Sequence, residues 1–272
     1  MQTEKSFDTG ELTLNYLEAG SGAPMVLLHG LSSQKEAWLP AIPTLTSHWH
    51  IYMPDLRGHG TSAHPADGYA TGDYARDMGA FLKHIGEPAV VMGHSLGALV
   101  TIAVASDYSD HVRAVILLDP PLSTWNMQID NTVPPGNIFQ MIYDLNSGAL
   151  KGDEAIARFR TIMPPGTDDS AVKGMMAHMA RVAPGTVKAA LDDAMWKGRD
   201  LPHDLQSIKC PMLLIHGDMD RGGAMRDEDV ALLKANSPSA QVVRLEGADH
   251  GLHLTDHPEI ALKHINAFLA ST

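Results

Sequence analysis

The feature that most constrains this chain is a rhythm of short apolar runs. Met25-Val26-Leu27-Leu28, Ile51-Tyr52-Met53, Ala89-Val90-Val91-Met92, residues 112–118, Met212-Leu213-Leu214-Ile215 and Val242-Val243-Arg244-Leu245 each meet a Gly, Asp or Pro within two residues. Runs that are apolar on successive positions, rather than on alternate ones, suit strands covered on both faces of a parallel sheet. Between them lie segments with helical spacing, at 74–85, 97–108, 228–234 and 259–269. Strand alternating with helix predicts a doubly wound, mostly parallel α/β domain. Near the start, Leu12-Thr13-Leu14-Asn15-Tyr16-Leu17 alternates with period two and stops at Gly20-Ser21-Gly22, which reads as a half-exposed antiparallel edge strand.

One stretch breaks the rhythm. Residues 122–207 carry no strand-like run and are punctuated by Pro134-Pro135-Gly136, Pro164-Pro165-Gly166 and Pro184-Gly185. A structureless loop of that length does not belong inside a compact domain. The segment therefore reads as a helical cap, or lid, inserted after the strand at 112–118. The core is then assigned to residues 1–121 and 208–272, and the cap to 122–207.

Composition narrows the classes of function. A net charge of −12 argues against nucleic acid or an anionic membrane as partner. A single cysteine, Cys210, excludes a disulfide framework and a Cys-rich metal site. Met1-Gln2-Thr3-Glu4-Lys5-Ser6 lacks the basic-then-apolar layout of a signal peptide, and no apolar stretch approaches the length of a membrane span. The expectation is a soluble, cytoplasmic protein, with a homodimer left open. Neither a His-Glu-x-x-His pair nor a phosphate-cradling Gly-rich loop is present, so no metal and no organic cofactor is expected.

The chemistry-bearing signal is Gly93-His94-Ser95-Leu96-Gly97, placed directly between a strand and a helix. A sharp turn there would lift the Ser95 hydroxyl clear of the sheet, and only very small residues fit two positions before and after it. The following helix would point its partial positive charge at an oxyanion forming on a substrate carbonyl. Serine is a weak nucleophile unless a histidine takes its proton and an acid orients that histidine. Gly247-Ala248-Asp249-His250-Gly251 follows the last strand, which makes His250 the expected base ahead of His253 and His257.

On these motifs the chain resembles the α/β-hydrolase superfamily, as a serine-nucleophile, esterase- or lactonase-like member with a helical cap. The resemblance implies an eight-stranded sheet with the cap inserted after strand 6. It implies that the amides of Leu31, after His29-Gly30, and of Leu96 form the oxyanion hole. It also makes Asp55-Leu56-Arg57-Gly58-His59-Gly60-Thr61-Ser62 a buttressing loop. The family's usual pattern for the acid, G-x-x-D after strand 7, is met by Gly217-Asp218-Met219-Asp220 and favours Asp220, with Asp218 beside it. Arg221-Gly222-Gly223 departs from the family's usual continuation, and other members carry the acid after strand 6, where Asp119 stands.

Ser95 disfavours relatives that attack carbon with an aspartate at the elbow, such as haloalkane dehalogenases and epoxide hydrolases. The expected reaction is cleavage of a carboxylic ester or lactone through an acyl-enzyme. The cap's aromatic and Met side chains suggest an apolar or aromatic small-molecule substrate, with Trp125, Met127 and Trp196 as binding residues. Two alternatives are a C–C bond hydrolase of aromatic ring-cleavage products, with Arg158, Arg160, Arg181 or Arg199 holding the anion, and a non-catalytic ligand receptor on the same fold.

Overall fold

The computed structural model describes residues 2–122, 136–252, 254 and 257–272. Eight strands form one sheet: β1 (Thr3–Asp8), β2 (Thr13–Gly20), β3 (Ala23–Leu28), β4 (Trp49–Pro54), β5 (Ala89–His94), β6 (Val112–Leu118), β7 (Met212–His216) and β8 (Gln241–Arg244). Their spatial order is β1-β2-β4-β3-β5-β6-β7-β8. Pairs from β4–β3 to β7–β8 are parallel, while β2 runs antiparallel to both β1 and β4. The alternating segment at 12–17 is thus the second strand. The outer edge is β1, whose mostly exposed, polar sequence TEKSFD carries none of the apolar patterning that marks the others.

The pleat explains why the central runs are apolar throughout. Val26, Leu28, Val91, Leu117 and Leu214 pack on one face, with Tyr74, Phe81, Leu99 and Leu233. Their neighbours Met25, Leu27, Val90, Met92, Ile116 and Leu213 pack on the other, with Leu262, Ile265 and Phe268. Successive side chains of a strand point to opposite faces, so a sheet with helices on both sides needs apolar residues at every position. The covering helices are α2 (Thr71–Ile85), α3 (Leu96–Asp107) and α9 (Asp227–Asn236) on the first face and the short α1 (Ile42–Leu45) with α10 (Pro258–Leu269) on the second. Helix α3 is buried from Leu96 through Ala105 and has no polar stripe, because it lies between the sheet and its flanking helices.

Between β6 and β7 the described residues form five helices and no strand: α4 (Gly136–Asn146), α5 (Gly152–Arg160), α6 (Asp169–Met179), α7 (Pro184–Leu191) and α8 (Leu201–Ser207). Their packing falls into two parts. Met141, Leu150, Ala155, Phe159 and Val172 form a separate cluster, against which Met163, Met175, Met176 and Met179 pack. Met195, Leu201 and Leu205 instead join the core cluster of the first face. Backbone ties fasten the insertion to the buttressing loop and to α2: Gly60 N–H donates to Arg181 O, Ala183 N–H to Gly58 O, and Thr71 N–H to Met195 O.

Candidate active site

β5 ends at His94 and α3 begins at Leu96, so Ser95 alone makes the turn between strand and helix. It does so at φ 53° and ψ −116°, a sparsely populated conformation that costs a residue with a Cβ about 1–3 kcal/mol. The flanking glycines make that turn possible. A Cβ on Gly93 would overlap the Gly97 carbonyl, and one on Gly97 would overlap the Leu28 carbonyl of the neighbouring strand. Ser95 N–H donates to Leu118 O at 2.9 Å, pinning the elbow to β6, and its carbonyl accepts the first helical bonds from Ala98 and Leu99.

The neighbouring loop that carries Gly30 and Leu31 is equally fixed. Gly30 lies against the elbow, where a Cβ would come within 3.2 Å of Ser95 Cβ. Buried His29 accepts from Leu56 N–H at Nε2 (3.0 Å) and donates from Nδ1 to Gly30 O (2.8 Å). Burial holds its pKa below the usual histidine range, which keeps this neutral tautomer in place. The two amides expected to bind an oxyanion, those of Leu31 and Leu96, donate no hydrogen bond among the described residues. Leu96 is the first residue of α3, where a helix has amides to spare.

The carboxylate on His250 is Asp119. His250 Nδ1–H donates to Asp119 Oδ2 at 2.6 Å, and Asp119 is fully buried. Its other donors are Gly217 N–H (3.2 Å, to Oδ1) and Ala224 N–H (2.7 Å, to Oδ2). Burial by itself would raise the Asp119 pKa. The His250 bond and the two amides outweigh that and hold it below the ordinary carboxylate value, so the group is charged at neutral pH.

This corrects the preference for Asp220. That residue lies in a short 3₁₀ turn, Met219–Arg221, and faces solvent. Asp218 is committed elsewhere, accepting from Arg244 Nε (2.6 Å) and Gly247 N–H (2.6 Å). Of the residues that met the G-x-x-D pattern, Asp218 supports the His250 loop, and neither it nor Asp220 bonds the ring among the described residues. The loop after β7 contributes amides to the Asp119 carboxylate.

His250 Nδ1 is thus occupied, which leaves Nε2 as the nitrogen free to serve a reacting group. No hydrogen bond at 3.5 Å or less joins it to Ser95 among the described residues; such contacts commonly tighten only when substrate binds. A residue that sequence reasoning left unassigned joins the chain at Ser95 to the His250 loop. His94 donates from Nε2 to the His250 carbonyl at 2.7 Å, and the two rings lie 4.7 Å apart.

The buttress is electrostatic. Asp55 accepts from Lys35 Nζ (2.7 Å), Lys35 N–H (2.8 Å) and Thr61 N–H (2.9 Å). Arg57 grips Asp77 with two bonds of 2.6 and 2.7 Å. Both pairs are buried and position loops without reaching the reacting centre.

Of the expected binding residues, Trp196 packs half-buried against the core cluster, its indole nitrogen buried without a partner among the described residues. Trp125 and Met127 lie outside the described residues. The methionines of α6 face the cap's own cluster. Among the described residues no group of three or more His, Cys, Asp or Glu could hold a metal ion, and no helix is long and apolar enough to cross a membrane.

A serine on a strand–turn–helix elbow, at the carboxyl edge of a mixed eight-stranded sheet, defines a hydrolase of the α/β class. The chain belongs to the α/β-hydrolase family, whose model matches residues 25–262. It is 29% identical over 96% of its length to 2-(acetamidomethylene)succinate hydrolase of Mesorhizobium japonicum, covering 93% of that protein. Among solved structures, E-2-(acetamidomethylene)succinate hydrolase matches with a TM-score of 0.74 at 24% identity, over 99% of this chain and 100% of that one. The enol-lactonase of Burkholderia xenovorans LB400 matches with a TM-score of 0.72 at 19% identity, over 98% of this chain and 100% of that one.

Proposed function

We propose that the protein is a serine hydrolase that cleaves carboxylic esters or lactones of apolar or aromatic small molecules through an acyl-enzyme. The observation that carries this reading is the 2.6 Å bond from Asp119 to His250, on the loop that His94 ties to the Ser95 elbow. Asp119, in place of the Asp220 first favoured, orients the imidazole and stabilises its protonated form. His250 Nε2 takes the Ser95 proton as Oγ attacks the carbonyl carbon. The Leu31 and Leu96 amides receive the oxyanion. Protonated His250 then hands its proton to the leaving alkoxide, and water, deprotonated by His250, attacks the acyl-enzyme to release the acid and regenerate Ser95. Residues 122–207 act as the cap over this site.

A second reading has a specific observation behind it. The relative matched along nearly its whole length is named for a substrate with two carboxylates and an acetamido group. An anionic substrate of this kind, or a ring-cleavage product, asks for a cation near the nucleophile. Arg158 and Arg160 are exposed. Arg199 is spent on Asp107 and Asp204. Arg181 is half-buried, with no side-chain ion pair among the described residues, and is the arginine this reading would use.

The deciding experiment is labelling with a fluorophosphonate, followed by a panel of p-nitrophenyl esters, aromatic lactones and enamide dicarboxylates. Wild type should label on Ser95 and turn over neutral esters or lactones, whereas Ser95→Ala should do neither with its fold intact. An unlabelled wild type, or a Ser95→Ala variant of near-normal activity, overturns the acyl-enzyme. Turnover confined to the dicarboxylates selects the second reading.

A further inference from the structure

The bond from Asp119 holds the ring of His250, but it does not hold the chain that carries the ring. His250 sits in an irregular stretch after β8, with left-handed backbone at Gly247 (φ 76°) and Leu252 (φ 51°). Its upstream half is fastened to the β7 side: Asp218 N–H donates to Ala248 O at 2.8 Å, and Gly247 N–H to Asp218 Oδ2 at 2.6 Å. Downstream, Gly251 N–H and Leu252 N–H bond back to Asp249, within the loop itself. Among the described residues, the hold on residue 250 from the nucleophile's side is the 2.7 Å bond from His94 Nε2 to its carbonyl.

His94 is suited to that task. A carbonyl only accepts, so the bond puts the proton on Nε2 and leaves Nδ1 without one. The ring is pressed against Gly30, where a Cβ would stand 3.2 Å from Nδ1, and against the His250 ring. Burial and the neighbouring His250 push the His94 pKa down to about 4, which preserves the neutral donor. His94 also directly precedes Ser95 on β5, so movement of one backbone is movement of the other.

We propose that His94 is a positioning residue that clasps the main-chain carbonyl of His250 and so fixes the distance between the base and the Ser95 hydroxyl. This rests on the serine-hydrolase reading above. It assigns to the position before the nucleophile a duty that Asp119 cannot perform. Displacement of a reacting group by about 1 Å can cost on the order of a hundredfold in rate, so the clasp bears on the chemical step more than on binding.

The test uses reach as the variable. Glutamine can place an amide N–H about as far from Cβ as Nε2 of histidine, whereas asparagine reaches only as far as Nδ1. His94→Gln, His94→Asn and His94→Leu are compared by fluorophosphonate labelling of Ser95, by kcat and KM on one ester, and by thermal midpoint. Asn and Leu should slow labelling and lower kcat by roughly tenfold to a hundredfold, with KM changed less than about threefold. Gln should restore both rates to within about threefold of wild type. Should the Leu variant fail to fold, the Gln and Asn pair decides. Equal rates for wild type and Asn would overturn the proposal, as would Gln falling as far as Asn, which would make the ring itself the requirement. A wild type that does not label takes the underlying serine-hydrolase reading down instead, a result distinct from either.

Discussion

Replacing Asp119 by Asn separates it from Asp220, the acid that the sequence favoured. The change keeps the shape of a fully buried side chain and removes its charge. Two losses follow. Protonated His250 loses a carboxylate bonded to it at 2.6 Å. The His250 ring is about a third open to solvent, so an effective dielectric near 20 applies, and a charge separation of about 4 Å then gives about 4 kcal/mol. That corresponds to roughly a thousandfold in rate. In addition, Gly217 N–H bonds Oδ1 while Ala224 N–H shares Oδ2 with His250 Nδ1–H, so in either orientation the Asn NH₂ faces a donor and at least one of these bonds is lost. The expected fall in kcat/KM for a p-nitrophenyl ester is therefore about 10³- to 10⁴-fold. Asp220→Asn, at an exposed position off the His250 ring, should stay within about threefold of wild type. Thermal midpoints measured alongside distinguish lost chemistry from lost fold. An Asp119→Asn enzyme within tenfold of wild type, or equal losses in the two variants, would refute the assignment.

Two further outcomes are expected. Gly97→Ala places a methyl against the Leu28 carbonyl on a central strand and should destabilise the fold by more than about 2 kcal/mol, read from urea midpoints; a neutral effect would mean the elbow is looser than described. His59 is fully buried, with Nδ1 donating to Arg57 O and Nε2 unpartnered among the described residues, and burial together with nearby His29 lowers its pKa to about 3. Below about pH 6.5 the unfolded chain takes up a proton that the native state refuses, so stability from this group is full above that pH and declines toward pH 3 by up to roughly 1.4 kcal/mol per pH unit. His59→Gln should flatten that part of the urea-midpoint profile, and an unchanged slope would count against a neutral buried imidazole.

The parts of this molecule that could be read from the sequence are those whose cause is local. The elbow was legible because the two glycines stand within five residues of each other around Ser95, even though the carbonyl that bars a Cβ at Gly97 comes from Leu28 on the neighbouring strand. The central strands were legible because double-sided burial imposes apolar residues at every position. Edge strand β1 was not, since Thr3–Asp8 is mostly exposed and polar and is held by its pairing with β2. The acid was not decided either. Asp119, Asp218 and Asp220 all end or follow a strand, and what distinguishes them is long-range: Asp119 takes φ 47° and accepts amides from residues 217 and 224, about a hundred positions away in the chain. The clasp by His94 belongs to the same class, spanning 156 residues. Among the methionines between β6 and β7 that suggested an adaptable pocket, those of α6 lie partly buried against the cluster of Phe159 and Val172, and spacing alone does not say which side of a helix meets substrate and which meets its neighbour.

Placing the carboxylate at residue 119 has a consequence for how such a molecule can vary. Asp119 is followed at once by Pro120 and Pro121, and Leu122 N–H closes a turn onto Pro120 O at 2.9 Å before the insertion departs. The entry to the segment between β6 and β7 is therefore continuous with the carboxylate that holds the His250 ring. If the proposed hydrolase reading holds, exchanging that segment for another should preserve reactivity only where the graft begins beyond Leu122. The segment between β7 and α9, excused from supplying an acid, offers an easier place for insertion, provided the amides at 217 and 224 still turn inward.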